Sequence, residues 1–319
     1  MLSGGLKKRA NHLGFLMSRA APDQRRFERE VARDISYAHS AQTKAGQTMI
    51  KLMENATGRI NLIKRARGYG EEVQKGRSFW DVMVERYGLS LNIQNGSLSN
   101  IPSTSPLILI ANHPYGILDG LMLGYILATV RGDFRILAHQ VFRKAEELNK
   151  VIIPVSFDET KDAVKLNLQS RKLAVDYLAR GGAIGIFPGG TVSTSVTPFA
   201  KPMDPAWRSF TARMIAKSNA TVVPIHFEGH ASRLFQVASH LHYTLRMGLL
   251  IKEFKKRVDG PVDISIGSPI PTEEIAKRAS DPRLMMQFLR QQTYALSSQK
   301  IDPNVQGFEF EDHYKSVAQ

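Results

Sequence analysis

His113 and Asp119, in the segment NHPYGILDGL, are the side chains of this 319-residue sequence best suited by type and spacing to move a proton. His113 follows the apolar run PLILIAN, so it stands where a buried strand must leave the core. Pro114, Tyr115 and Gly116 make a turn, and Asp119 falls at the start of the helix that follows, where an acid also suits the helix dipole. One imidazole nitrogen can then face a substrate while the carboxylate holds the other. Such a partner fixes the tautomer, raises the basicity of the ring and stabilises the imidazolium formed when the ring takes a proton. This is half of a triad, with the nucleophile left to the substrate. A plainer reading also stands, in which His113 satisfies backbone groups at a strand end and Asp119 caps a helix. Their spacing leaves both open.

A second segment, IFPGGTVSTS over residues 186–195, leaves another buried strand, AIGIF. Pro188 stiffens the exit after Phe187, and Gly189 and Gly190 permit conformations in which successive N–H groups point at one anion or developing oxyanion. Thr191, Ser193, Thr194 and Ser195 add hydroxyls. Taken alone, the glycine pair is equally a turn with polar decoration.

These segments need a scaffold that sets two strand ends side by side, and the chain is patterned for one. After Tyr87-Gly88, short β-type runs alternate with helical ones: LSLNIQ, PLILIAN, FRILAH, VIIPVSF, AIGIF, TVVPIHF and VDISIG read as strands. Between them lie a buried helix in DGLMLGYILATV, a helix in VFRKAEELNK, a long one from about Asp162 to Arg180, one in AWRSFTARMIAKS, and one spanning RLFQVASHLHYTLRMGLLIKEFKKR. TEEIAKRA and RLMMQFLRQQTYAL add two more. This alternation predicts an α/β fold, helices layered on both faces of a mostly parallel central sheet, with reactive groups at the strand ends. Upstream, Phe27, Val31, Ile35 and Ala38, then Ile50, Met53, Ile60 and Ile63, recur at near-helical spacing and predict N-terminal amphipathic helices. A short helix at Phe79-Trp80-Asp81 is capped by Ser78. The divisions expected are a basic helical region over 1–78 that could touch a membrane, a catalytic body over 79–300, and a tail over 301–319 in which Phe308, Phe310 and Tyr314 pack on the body.

Composition narrows the chemistry. Without cysteine there are no disulfides, thiolate metal sites or cysteine nucleophiles. The net charge of +14 is uneven, since residues 1–78 hold 16 Lys and Arg against 7 Asp and Glu. That surplus calls for an anionic membrane leaflet, nucleic acid or an anionic substrate. Nucleic acid is disfavoured, because the basic stretch lacks interleaved aromatics and no RNP-type strand occurs. No run reaches the roughly 18 to 20 apolar residues of a spanning helix, and the broken apolar stretch after Met1 does not read as a cleaved signal. The expected location is cytoplasmic, peripheral on the cytoplasmic face of the membrane. There is no G-x-S-x-G elbow, P-loop or G-x-G-x-x-G fingerprint, and His240 and His242 fall two apart in a helical pattern, unsuited to a metal.

Together, NHPYGILDG and IFPGGTVS resemble the glycerolipid acyltransferase family that includes 1-acylglycerol-3-phosphate acyltransferases, in which an H-x-x-x-x-D block is followed some 70 residues on by one of the type F-P-E-G-T-R-S. Phe142-Arg143 after FRILAH is similar to the family's basic acceptor-binding segment, and Val222-Val223-Pro224 to its last strand. The resemblance spans roughly residues 85–230. It implies that His113 is the general base and Asp119 its orienting partner, and that the acceptor contacts Arg143, Phe187, Pro188, Gly189, Gly190, Thr191, Ser193 and Pro224. It further implies that a lysolipid hydroxyl attacks an acyl thioester of acyl-CoA or acyl-carrier protein, with no metal and no cofactor beyond that cosubstrate. The partners implied are a membrane lipid surface, a lysolipid acceptor and the thioester donor.

Three positions depart from the family pattern. Five residues rather than four separate His113 from Asp119, so the turn must absorb one, at Gly116. This H-P-x-G-x-x-D-G form resembles a hemolysin-like branch, some of whose members acylate lyso-ornithine or related aminolipids. Gly189 stands where the family has Glu and Val192 where it has Arg. Losing that Arg removes a bidentate clamp for glycerol phosphate and leaves the acceptor open among lysophosphatidate, other lysophospholipids and lyso-ornithine-type lipids. The rival expectation is a catalytically silent lipid-binding or membrane-adaptor protein on the same fold.

Overall fold

β2, Leu107–Ala111, is buried at every position, because it lies in the middle of a sheet covered on both faces. Its side chains alternate between two cores: Leu107, Leu109 and Ala111 on one face, Ile108 and Ile110 on the other. The computed structural model describes residues 36–41, 43–139, 146–156 and 160–310. Within them, β1 (Ser90–Asn95), β2, β3 (Arg135–His139), β4 (Ile152–Val155), β5 (Ala183–Ile186), β6 (Thr221–Phe227) and β7 (Pro261–Ile266) form one seven-stranded sheet in the order β1-β7-β6-β2-β5-β3-β4. β6 and β7 pair antiparallel, whereas the remaining neighbours pair parallel. This is the layered, mostly parallel α/β architecture expected. β2 sits between β5 and β6 in register, Leu107 opposite both Ala183 and Thr221. The C-terminal ends of these three neighbours therefore open on one edge, which brings His113 beside the turn after β5.

The helix after His113, Ile117–Arg131, is fixed from two sides by missing side chains. A Cβ on Gly185 of β5 would lie 2.9 Å from Leu123 and Leu127, and one on Gly124 would lie 2.1 Å from the Trp80 ring. The helix thus seats directly on the sheet and Trp80 seats directly on the helix. Ser78 caps the Trp80 helix, Phe79–Arg86, by accepting from the Trp80 N–H at 3.2 Å.

Two expected elements differ. The run RLFQVASHLHYTLRMGLLIKEFKKR is two helices, Arg233–Leu241 and Tyr243–Lys255. His242 separates them in extended conformation (φ −164°, ψ 136°), with its Nδ1 accepting from the Thr244 N–H; its ring nitrogen competes for a backbone donor and restarts the helix. The helix expected from Ala206 begins only at Ser209, because Trp207 and Arg208 are drawn into contacts with Asp204 and Pro188.

Of the N-terminal positions, Phe27, Val31 and Ile35 lie outside the described residues. The helix Lys44–Thr57 buries Ile50 and Glu54 and packs on Tyr243–Lys255, with Met53 against Gly248. In the helix Arg59–Ala66 the buried face is Leu62 and Ala66 rather than Ile60, which is 52% exposed. Glu54 is wholly buried, accepting from the Ser36 hydroxyl at 2.7 Å and the Tyr37 N–H at 2.6 Å. Among the described residues no helix is long and apolar enough to cross a membrane.

Candidate active site

Asn112 shapes the strand end from which His113 departs. Its side-chain amide donates to the Phe227 carbonyl at 2.9 Å and accepts from the Phe227 N–H at 2.7 Å, mimicking one more rung between β2 and β6. The chain then turns away from the sheet with His113 at its crest. The ring stacks on Phe187, centroids 4.3 Å apart and planes at 27°, so the residue that ends the β5 run supports one face of the imidazole.

Nδ1 of His113 lies 3.0 Å from Oδ2 of Asp119, with the His side chain 18% exposed and the carboxylate wholly buried. The ring nitrogen is close to the carboxylate but does not align with it as a hydrogen bond. The same Oδ2 accepts the N–H groups of Tyr115 (2.7 Å) and Gly116 (3.0 Å). Gly116 is the helix N-cap, held at φ +79°, and its carbonyl takes the Asp119 N–H at 3.1 Å. This is a left-handed conformation that glycine adopts without strain. Burial pushes the Asp119 carboxyl above the ordinary carboxylate range, against the pull of His113 and the two N–H groups. Its second oxygen, Oδ1, is buried and has no hydrogen-bond partner among the described residues. Nε2 of His113 makes no hydrogen bond within the described residues.

The turn after β5 lies alongside. The Ser193 N–H donates to the His113 carbonyl at 2.8 Å, joining the two motifs through the backbone. Gly190 adopts φ +70° and its N–H closes on the Phe187 carbonyl. The N–H groups of Gly189, Thr191 and Val192 make no hydrogen bond within the described residues. The Thr191 hydroxyl accepts from Arg246 at 3.0 Å.

Asp204 was not singled out by sequence reasoning. Its Oδ1 accepts the His113 N–H at 3.2 Å and the Ser193 hydroxyl at 2.5 Å, and its Oδ2 accepts the Trp207 indole N–H at 2.9 Å. It is wholly buried, and Gly189 leaves room for it: a Cβ there would lie 3.3 Å from the Asp204 side chain. The tail closes over this hub. The Gly307 N–H donates to the Asp204 carbonyl, the Phe308 N–H to the Thr194 carbonyl, and Arg208 forms a two-pronged pair with Glu309 at 2.7 and 3.0 Å. Phe308 and Phe310 pack as expected, on His240 and over Arg246; Tyr314 lies outside the described residues. The only sequence signal for Asp204 was an acid flanked by Met203, Pro205 and Trp207 in an otherwise apolar stretch.

The expected site residues therefore divide. His113, Asp119, Phe187, Gly189, Gly190, Thr191 and Ser193 gather within one cluster, and Pro188 joins it through its carbonyl, which takes the Arg208 N–H at 2.9 Å. Pro224 lies inside β6 opposite Ile110 and belongs to the sheet rather than to the cluster. Arg143 lies outside the described residues. His226 sits 3.4 Å from Glu228 and edge-on to Tyr294, buried beneath the strand ends.

Comparison with known proteins adds a family. The family model described as Acyltransferase matches residues 60–302. Two curated relatives, both described as lyso-glycine lipid O-acyltransferase, are similar: one from Phocaeicola vulgatus, 27% identical over 218 residues covering 65% of this chain and 74% of that protein; the other from Bacteroides thetaiotaomicron, 21% identical over 217 residues covering 65% and 76%. A solved structure, the 1-acyl-sn-glycerophosphate (LPA) acyltransferase PlsC from Thermotoga maritima, aligns over 88% of this chain and all of its own with a TM-score of 0.38 and 15% identity.

Proposed function

This chain belongs to the acyltransferase family matched over residues 60–302 and is an acyl-transferring enzyme; on that premise we propose that it acylates the hydroxyl of an amino-acid-headed lysolipid, with His113 as general base. The observation that carries the mechanism is the contact of His113 Nδ1 with the buried Asp119 carboxylate, while Nε2 has no hydrogen bond among the described residues. The acceptor class is supported by the description of both relatives as lyso-glycine lipid O-acyltransferases.

In this reading Nε2 takes the proton of the acceptor hydroxyl as its oxygen bonds to the thioester carbonyl carbon. Asp119 stabilises the imidazolium and keeps the ring in its working tautomer. The misaligned Nδ1–H is expected to tighten when substrate is bound, as such bonds often do. The oxyanion formed faces the unpaired N–H groups of the Gly189–Val192 turn. The C–S bond then breaks, and the thiolate leaves with its electron pair and takes the proton back from the imidazolium. A thiolate leaves readily, so no stronger acid is needed. Acyl-CoA and acyl-carrier protein supply the same thioester, and both belong in the test.

The reading extends to the surface where the reaction runs. Phe199 (80% exposed) and Val196 follow the site turn directly, and Leu234 and Leu241 lie one heptad apart on the Arg233–Leu241 helix, held beside that turn by Arg233 on the Ala200 carbonyl and His240 on the Ser195 carbonyl. An apolar rim beside the site, in a chain of net charge +14, supports docking on an anionic membrane.

The test incubates purified protein with labelled acyl-CoA or acyl-carrier protein and lyso-glycine lipid, lyso-ornithine lipid, lysophosphatidate and other lysophospholipids. Transfer is expected to the amino-acid lysolipids. Folded protein that acylates none of the panel would overturn the reading. Flotation with anionic and neutral liposomes tests the surface, and binding indifferent to lipid charge and to Phe199→Ser would count against it.

A further inference from the structure

Tyr37 reaches the catalytic helix from a part of the chain that the family match does not include. The match begins at residue 60, yet Tyr37 is 7% exposed and lies at the N-terminus of the helix Ile117–Arg131. Its phenol oxygen accepts a hydrogen bond from the Ile117 backbone N–H, one of the donors that the start of a helix leaves without an internal partner. A Cβ on Gly116 would lie 2.9 Å from the same oxygen, 3.4 Å from Val192 and 3.6 Å from Leu250. Gly116 therefore makes room for Tyr37 as well as adopting a positive φ. The phenol tip stands against the residue whose N–H donates to Asp119 Oδ2 at 3.0 Å.

A buried carboxylate holds Tyr37 in place. Glu54, on the helix Lys44–Thr57, accepts the Tyr37 N–H at 2.6 Å and the Ser36 hydroxyl at 2.7 Å, and the Ser36 oxygen accepts the Ala38 N–H at 3.1 Å. The Arg59 guanidinium is 3.7 Å from Glu54. Burial pushes the Glu54 carboxyl above its ordinary range against the pull of these groups. Keeping a carboxylate in the interior costs free energy, and what this one secures is the segment that carries Tyr37. Its own support is close-packed, since a Cβ on Gly248 would lie 3.0 Å from the neighbouring Met53.

We propose that Tyr37, fastened by Glu54, is a positioning residue of the active site that fixes the start of the catalytic helix and so keeps the Tyr115 and Gly116 N–H groups on the Asp119 carboxylate. This rests on the His113–Asp119 reading above and extends the site to two residues outside the family match. Those N–H groups point their positive ends at the carboxylate and favour its ionised form. Without the Tyr37 oxygen the Ile117 N–H loses its acceptor and the turn relaxes. The His113–Asp119 pair then holds its protons to higher pH, as a coupled unit.

The test compares wild type, Tyr37→Phe, Glu54→Ala and the double variant as full-length proteins. Tyr37→Phe should lower kcat roughly tenfold, the size of one lost hydrogen bond, leave KM for the acceptor within about twofold, and move the acid limb of the kcat profile to higher pH. The ionisable groups around Tyr37 and Asp119 are His113, Tyr115, Glu54, Arg246 and Arg257, and Tyr37→Phe removes none of them. The phenol itself is kept neutral by burial. Glu54→Ala should reproduce the shift, and the double variant should lose no more than the worse single one, because both act through one contact. Activity that falls only with the folded fraction while the acid limb stays in place, or losses that multiply in the double variant, would overturn the proposal. Tyr37→Phe removes a single oxygen, so the test survives if Glu54→Ala fails to fold. NMR titration of the His113 ring, which needs no turnover, is the second readout: its midpoint should rise in Tyr37→Phe, and an unmoved midpoint would count against the proposal. A rise found beside a wild type that transfers no acyl group would overturn the acyl-transfer reading and leave this one standing.

Discussion

Two carboxylates are buried against His113, and they are used differently. Asp204 places both oxygens on three donors, from the His113 backbone, Ser193 and Trp207. Asp119 crowds the Tyr115 and Gly116 N–H groups and the imidazole onto Oδ2 and leaves Oδ1 buried without a partner among the described residues. A satisfied buried carboxylate holds structure together, whereas one kept with spare capacity beside a titratable ring is costly for folding and suited to chemistry. The same contrast recurs in the turn after β5, where the Thr194 hydroxyl donates to the Val192 carbonyl and the Thr191 hydroxyl, which accepts from Arg246, has no acceptor among the described residues.

The largest effect that could break this contrast is expected from His113→Ala. Removing the base should lower kcat for acyl transfer by about 10² to 10⁴-fold while the unfolding midpoint in denaturant moves little, because the ring is stacked at the surface of the core rather than within it. Undiminished transfer would remove His113 from the chemistry.

Asp119→Asn should follow, with kcat down by on the order of 10²-fold and unfolding free energy within about 1 kcal/mol of wild type, the lost buried charge offsetting an amide left unpaired. The pH dependence gives a sharper check. The folded state holds the Asp119 proton more tightly than the unfolded chain does, so this group's contribution to stability falls as pH rises from the ordinary carboxylate range through its raised folded value. Activity should run the other way and rise as Asp119 ionises. Chemical denaturation and kcat measured across that window should show opposite slopes in wild type and a flatter stability curve in Asp119→Asn. Parallel slopes would mean that Asp119 is structural, like Asp204.

The two carboxylates were not equally legible in the sequence. Asp119 announced itself because its work is local: it caps its own helix, lies six residues from His113, and the apolar period around it fixes where strand and helix must be. The strands were legible for the same reason, as short, nearly continuous apolar runs. Asp204 works across distance, binding a backbone 91 residues away through a loop of no regular structure, and no local pattern encodes that. Arg246 was hidden likewise, in a helix whose interruption at His242 depends on one side chain's hydrogen bond. Gly116 was legible as a turn residue, and it does take a positive φ at the start of the helix.

Asp204→Ala tests the structural half. It leaves the His113 N–H, the Ser193 hydroxyl and the Trp207 indole without their acceptor, and at 1 to 3 kcal/mol for each buried group left unpaired the loss should be about 3 kcal/mol in urea unfolding after partial rescue by water. Activity should fall chiefly as the folded fraction falls. A loss of kcat as deep as that of Asp119→Asn, with stability kept, would make Asp204 part of the chemistry instead.

The smallest effect expected, and the finest test, is Gly189→Ala. The added methyl would sit 3.3 Å from Cβ, Cγ and Oδ2 of Asp204, a few tenths of an ångström too close, and Asp204 cannot retreat without lengthening one of its three hydrogen bonds. The cost should be about 1 kcal/mol, the low end of overpacking. Gly189→Glu, which restores the residue type of the family pattern noted for this position, should cost more, because it sets a second carboxylate against the first in a site already supplied with one. Combining Gly189→Ala with Asp204→Ala isolates the contact: if the methyl destabilises only through Asp204, its cost should vanish in the double variant, and the two losses should fail to add. Additive losses would show that Gly189 is needed for its own turn and not for the room it leaves Asp204.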